Sequence, residues 1–138
     1  MISISKFTQL CNDIKTAVPE IKEVVIAVHE GQATAKLGSK PGIILLGVIP
    51  SADRAGQRGQ AIDVNSMLFF FLQKAVSGDI NELEQFGTLQ QIALKARAYI
   101  EDKCDDGEPL FNNYNPTGTT IDPENFAGFN GWSMSVEF

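Results

Sequence analysis

Four groups of residues in this sequence are of types that could do chemistry, and none of them completes a reactive site. The only histidine, His29, stands beside Glu30, and a histidine–carboxylate pair can move protons in general acid–base catalysis. No nucleophile, second histidine or further carboxylate has a spacing that would complete such a site. We therefore expect His29 to be a surface residue at the end of a strand.

The second group is the glycine-containing segment 56–60, Gly-Gln-Arg-Gly-Gln. A phosphate-binding loop needs a strand, a glycine-rich turn, a lysine followed by serine or threonine, and then a helix. Here the lysine is absent, and an apolar strand follows instead of a helix. We predict that residues 51–60 form a flexible loop, in which Arg54 and Arg58 are the expected contacts if the loop binds a partner.

The other two groups are rich in oxygen ligands. Four carboxylates, Asp102, Asp105, Asp106 and Glu108, lack the alternating ligands and closing glutamate of a calcium loop, so we expect a solvated helix end. The segment 112–115, Asn-Asn-Tyr-Asn, could bind a polar ligand, although asparagines in turns usually bond to their own backbone. The sequence therefore predicts no catalytic, cofactor-binding or metal-binding residue, and no enzyme.

Two cysteines, Cys11 and Cys104, are far apart in the sequence and lack the spacing of metal ligands. Cys11 falls on the apolar face of a predicted helix, where a cysteine behaves as a small buried hydrophobe. A disulfide between the two requires an oxidising compartment. Because the amino terminus shows no export signal, we expect both thiols to be free.

Length and charge limit the possible functions further. A chain of 138 residues with 43% hydrophobic content can form one domain with a substantial core. Its net charge is -6 and its 11 basic residues are scattered, which argues against sequence-specific nucleic-acid binding. No apolar run is long enough to span a bilayer. We expect a protein of the cytoplasm, or of a virion or phage-like particle, with no membrane partner.

Apolar periodicity predicts two amphipathic helices. Apolar residues between positions 4 and 18 recur every three or four residues, and Pro19 disfavours helical geometry at Val18. A longer helix begins near Asp79, a plausible N-cap with Glu82 three residues later. Its predicted inward face consists of Ile80, Leu83, Phe86, Leu89, Ile92, Ala93, Ala96, Tyr99 and Ile100.

Apolar runs predict the strands. Segments 24–28 and 43–49 favour an antiparallel hairpin with a longer connection at 32–41, and Pro50 is expected to end its second strand. A third strand leads to Lys74, and a last strand at 131–138 alternates apolar and polar residues. The sequence therefore predicts one α+β domain over residues 1–138, with a mainly antiparallel sheet of about four strands and two helices packed on one face.

The third strand contains six consecutive apolar residues at positions 67–72, which indicates a strand buried on both sides. Successive side chains of a strand point to opposite faces. One face therefore carries Met67, Phe69 and Phe71, and the other carries Leu68, Phe70 and Leu72.

Only one of these two faces can be covered by the two predicted helices. The other face needs a neighbouring subunit or the segment 110–129, which holds Phe111, Tyr114, Phe126 and Phe129. If a subunit covers it, Met67, Phe69 and Phe71 are our candidate interface residues.

The order of elements, the aromatic strand at 67–72 and the Gly-Trp that opens the alternating strand 131–138 resemble small phage and prophage structural proteins. The resemblance is to tail-terminator, tail-completion and neck proteins, and it matches no functional residue of that family to a position here. It implies a non-enzymatic subunit that assembles as a homo-oligomeric ring, caps a tail tube and contacts other tail or neck proteins. The alternative is a small bacterial ligand- or protein-binding module with a pocket between the sheet and the long helix.

Overall fold

The computed structural model describes residues 1–60, 62–107, 109–111 and 114–138. Within these ranges, none of the helices is both long enough and apolar enough to cross a membrane. The elements, in chain order, are α1 (Ile4–Ala17), β1 (Ile21–Ala27), α2 (Glu30–Leu37), β2 (Ile43–Ala55), β3 (Ile62–Lys74), α3 (Asp79–Asp105), two 3-10 helices (Pro109–Phe111 and Pro116–Gly118), β4 (Thr120–Phe126) and β5 (Phe129–Glu137).

The strands form one mixed sheet in the order β1-β2-β3-β5-β4. β1 and β2 run parallel, and the other neighbouring strands are antiparallel. The predicted α+β class is confirmed, but the described residues form five strands and three helices rather than four and two. The predicted hairpin of β1 and β2 is wrong because parallel neighbours need a crossover connection, which α2 supplies.

α2 covers the face of the sheet opposite to α1 and α3. Its N-cap is His29, whose Nδ1 accepts a hydrogen bond of 3.1 Å from the Gln32 backbone N–H. Ala33 and Leu37, one helical turn apart, are fully buried in the cluster on that face. Two buried apolar residues in an eight-residue helix are too weak a pattern to distinguish it from a polar connection.

β3 is the central strand, and its two faces separate as the alternation predicted. Met67, Phe69 and Phe71 are at most 1% exposed and pack in the cluster that contains α1 and α3. Phe70 and Leu72 belong to the opposite cluster, which contains α2. Because β2 and β5 pair with its two edges, β3 is enclosed on all sides along this stretch.

The aromatic residues predicted to cover the second face divide between the two faces. Phe126 and Phe129 lie on the second face, where the Phe126 ring meets the Phe70 ring at 5.3 Å between centroids. Phe111 instead packs in the first cluster, with its ring 5.3 Å from that of Phe138. The second face is thus covered by α2 together with the aromatic end of the β4–β5 hairpin.

α3 packs through only part of its predicted inward face. Its buried residues are Gln85, Leu89, Ile92, Ala93, Ala96 and Ile100. Ile80 and Leu83 are instead 76% and 73% exposed, because the whole segment 75–84 lies outside the packed part of the molecule. The N-cap is Gly78 rather than Asp79, without a side-chain bond. The start of α3 is therefore an uncovered helical segment.

Candidate functional site

β2 and β3 continue beyond the other strands as a two-stranded hairpin. β1 pairs with β2 only as far as Val48, and the β5 ladder meets β3 only from Ser66 onward. Beyond those positions the described residues of β2 and β3 pair only with each other, for example at Arg54 and Asp63. We call residues 51–64 the arm.

The arm corrects the prediction that Pro50 ends β2. The strand continues to Ala55, with a shift of register between Val48 and Ser51. Proline lacks an N–H donor, but a strand accommodates it at an irregularity or where one edge is unpaired. Since β1 no longer pairs with β2 at this point, Pro50 removes no ladder bond on that side. The predicted flexible loop at 51–60 is therefore partly strand.

Arg54 and Arg58 both lie on the arm, and both side chains are exposed. The Gln60 N–H donates a hydrogen bond of 2.8 Å to the Gln57 carbonyl, and Gly59 between them has a φ of 88°. A turn with glycine in this conformation at its third position carries Arg58 at its second position. The turn thus presents Arg58 at the tip of the arm, with Arg54 on the strand that leads to it.

Asn65 anchors the base of the arm. Its side-chain oxygen accepts a hydrogen bond of 2.8 Å from the Ile2 N–H, and its side-chain amide donates one of 3.1 Å to the Phe138 carbonyl. The backbones of Asn65 and Phe138 exchange two further bonds, of 2.6 and 3.0 Å. Buried polar groups bonded in this way hold a fixed geometry. The arm therefore extends from a rigid base.

The predicted interface residues Met67, Phe69 and Phe71 lie in the core beneath α1 and α3. A neighbouring subunit could reach their side chains only if those helices moved away. The apolar side chains that the structure does expose near the end of β3 are Val76, at 41%, and Ile80 and Leu83. Candidate assembly surfaces are therefore the arm and the start of α3.

The described residues considered for acid–base or metal chemistry do not come together as a site. The imidazole of His29 is exposed and caps α2, while the side chain of Glu30 is outside the described part of the chain. Asp102, Asp105 and Asp106 are exposed at the end of α3. Glu108 lies outside the described residues. Among the described residues, no three histidine, cysteine or acidic side chains are placed to hold a metal ion.

In the segment considered for a polar ligand, the described residues Tyr114 and Asn115 form hydrogen bonds within the chain. Asn112 and Asn113 lie outside the described residues. The Tyr114 hydroxyl donates to Glu101 Oε1 at 3.4 Å and accepts from the Thr119 hydroxyl at 3.3 Å. Partial burial is the main cause that raises the pKa of Tyr114. Tyr114 thus joins α3 to the segment before β4.

A small cavity lies between α1 and α3, with Lys6, Leu10, Tyr99, Lys103 and Phe111 among its lining residues. Its volume is about 130 Å³. Ligand pockets typically enclose about 300–1,000 Å³, so this cavity suits a few water molecules. The sheet face beneath α3, where the binding-module alternative placed a pocket, is occupied by buried core side chains.

Both cysteines are free, and they differ in exposure. Cys11 is fully buried, and burial raises the pKa of its thiol to about 12, while Cys104 is half-buried. Thiolates are the reactive form, so iodoacetamide should label Cys104 before Cys11 in the native protein, and both cysteines in urea. Peptide mass spectrometry reads the two sites separately. Equal labelling of both cysteines in the native protein would contradict the packing of α1.

The chain matches no protein-family model, and a search of curated proteins finds no match either.

Proposed function

We propose that this chain is a non-enzymatic structural subunit that assembles with copies of itself through the arm. We propose further that the assembly is a ring at the end of a phage-like tail, as in tail-terminator, tail-completion or neck proteins. The observation that carries the proposal is the arm, which extends beyond the sheet and whose described strand residues have no third strand beside them. The tail assignment itself is supported by the resemblance described above.

An isolated hairpin lacks the packing that stabilises a larger sheet. A two-stranded hairpin is marginally stable in water because it has no third strand or helix to bury its face. Its unpaired N–H and C=O groups are also a template for another strand. An arm of this kind gains most of its stability when a neighbouring subunit covers it. A head-to-tail contact between an arm and a different surface closes into a ring when the rotation allows.

Charge favours the same contact. The arm carries Arg54 and Arg58 and also Asp53 and Asp63, so its formal charge is zero, whereas the whole chain has a net charge of -6. A neutral arm is not repelled by the acidic surface of another copy, and Arg58 at its tip is attracted to that surface, which raises the rate of association. This attraction weakens as salt is added, because exposed charges are screened. Assembly should therefore be weaker at high ionic strength.

The test is an arm-shortened variant in which residues 53–64 are replaced by Asn-Gly. Ala52 and Asn65 are directly paired, so a two-residue turn can join them without a change of register. We expect a folded chain that no longer forms rings in negative-stain electron micrographs and sediments as a smaller species. Arg58→Ala should weaken assembly less, and Lys22→Ala, which removes an exposed cation from β1, should leave it unchanged. Rings formed by the shortened variant would contradict the role of the arm.

The tail assignment has a separate test. Genes for tail or head proteins should lie on either side of the gene for this chain. The purified protein should also bind at the ends of tail tubes from the same source, as seen by electron microscopy. Metabolic neighbours together with no binding to tubes would contradict the tail assignment and leave the arm contact standing.

A further inference from the structure

The outward side of α3 carries an apolar stripe that no part of the described chain covers. Ile80 and Leu83 are 76% and 73% exposed, and Gly87 and the partly exposed Leu94 continue the line at intervals of four and seven residues. At 3.6 residues per turn, these four positions lie on one side of the helix. They lie opposite the buried stripe that includes Gln85, Leu89, Ile92 and Ala96.

Gly87 has no explanation within the described chain. Glycine in a helix interior costs about 1 kcal/mol relative to alanine, so its presence usually has a packing reason. A β-carbon at Gly87 would meet no atom within 4 Å, and its φ lies in the ordinary helical range, so neither crowding nor backbone conformation requires glycine. A glycine on an exposed helix face does allow the backbone of a second helix to approach closely.

Two charged residues, Asp79 and Arg97, lie along the same edge of this stripe. Asp79 and Arg97 are separated by 18 residues, which is five helical turns, so both project from the same side of α3. Neither forms a salt bridge with another described residue. Gly87 lies close to the midpoint between them. If a second α3 packed antiparallel across Gly87, each Asp79 would face an arginine.

The start of α3 is held firmly enough to serve as a binding surface. The buried Gln85 amide donates to the Lys74 carbonyl at 2.8 Å and to Gln73 Oε1 at 3.1 Å. Gln85 Oε1 accepts from the Asn130 side-chain amide at 3.1 Å, which ties the helix to β5. Every buried amide in this group has a partner, so the helix is anchored immediately after its exposed turns.

We infer that α3 is a dimerisation helix, which pairs antiparallel with α3 of a second copy of this chain across a two-fold axis at Gly87. Ile80 then packs against the partner's Leu94, which lies as many residues beyond Gly87 as Ile80 lies before it. Asp79 faces the partner's Arg97, and the symmetry makes each contact twice. A C2 contact of this kind uses a different surface from the arm, so either contact can fail without the other.

A charge exchange tests the pairing directly. The single variants Asp79→Arg and Arg97→Asp each place like charges opposite one another at both of the symmetry-related contacts. Each should therefore raise the dissociation constant of the dimer by roughly tenfold. The double variant Asp79→Arg/Arg97→Asp restores opposite charges and should recover affinity to near that of the wild type. Sedimentation velocity of the arm-shortened chain measures this step without ring formation. A double variant weaker than both single variants would overturn the antiparallel pairing.

Cross-linking locates the two-fold axis. In a Cys104→Ser background, Gly87→Cys places two thiols at the axis, and mild oxidation should join most chains into a disulfide-linked dimer on a non-reducing gel. Gln90→Cys, an exposed position displaced from the axis, is the matched control and should cross-link at least tenfold more slowly if the axis passes through Gly87. Equal rates at the two positions, or a wild-type chain that sediments as a monomer at every concentration, would overturn the proposal.

Discussion

Gly131→Ala should destabilise the chain by at least about 3 kcal/mol, because the added methyl group has no space in the sheet. Gly131 lies in β5 directly opposite Leu72 of β3. A β-carbon there would overlap the Phe71 carbonyl oxygen and stand 2.9 Å from the Phe71 carbonyl carbon. Since those atoms belong to the backbone of the central strand, relief requires the two strands to separate. Urea denaturation followed by circular dichroism measures the loss.

The matched control is the same substitution at Gly87. A β-carbon at Gly87 meets nothing within 4 Å, and alanine favours helix over glycine, so Gly87→Ala should stabilise the isolated chain by up to about 1 kcal/mol. Both variants are compared in dilute protein, where association adds nothing to the stability. A Gly131→Ala variant as stable as the wild type would mean that the register of β3 and β5 is wrong.

Phe70→Ala should cost about 3–5 kcal/mol of unfolding free energy, the range for removing a fully buried phenylalanine. Phe70 is 1% exposed and lies on the second face of β3, in the cluster that contains Leu37 of α2 and Phe126 of β4. Its loss leaves a cavity between the sheet, α2 and the β4–β5 hairpin. Thermal and urea denaturation both report the change.

Leu83→Ala is the control for this second prediction. Periodicity places Leu83 on an inward helix face, yet the structure leaves it 73% exposed. Its truncation in dilute protein should change stability by less than about 0.5 kcal/mol. A loss at Phe70 below that at Leu83 would show that the second face of β3 is not closed by this chain.

The sequence predicted the parts of the fold that local pattern determines. Alternation assigned Met67, Phe69 and Phe71 to one face of β3 and Phe70 and Leu72 to the other, because the strand period of two residues is a matter of backbone geometry. The two long helices and the α+β class followed in the same way.

The remaining features depend on tertiary context. β4 was not predicted because Pro123 and its polar neighbours give no alternating pattern, which suits an edge strand. The parallel pairing of β1 and β2 depends on α2, whose two buried apolar residues give little signal. Exposure of Ile80 and Leu83 was hidden because periodicity shows an apolar stripe and not what covers it.

The candidate site was predicted only in part. The sequence selected Arg54 and Arg58 as contacts, and the structure places both on the arm, where their role stays a prediction. The arm itself was missed because Pro50 normally ends a strand, and only the absence of β1 beyond Val48 makes it tolerable there. A glycine inside an otherwise periodic helix was the signal at Gly87 that sequence reasoning could have used.

Sedimentation velocity of the intact chain over a wide range of concentration shows whether this chain assembles through the arm. We predict a species of more than two 15.0 kDa chains at low salt, and no species larger than a dimer for the chain in which Asn-Gly replaces residues 53–64. A strictly monomeric intact chain at every concentration, or an oligomer of the same size with and without the arm, would contradict the account.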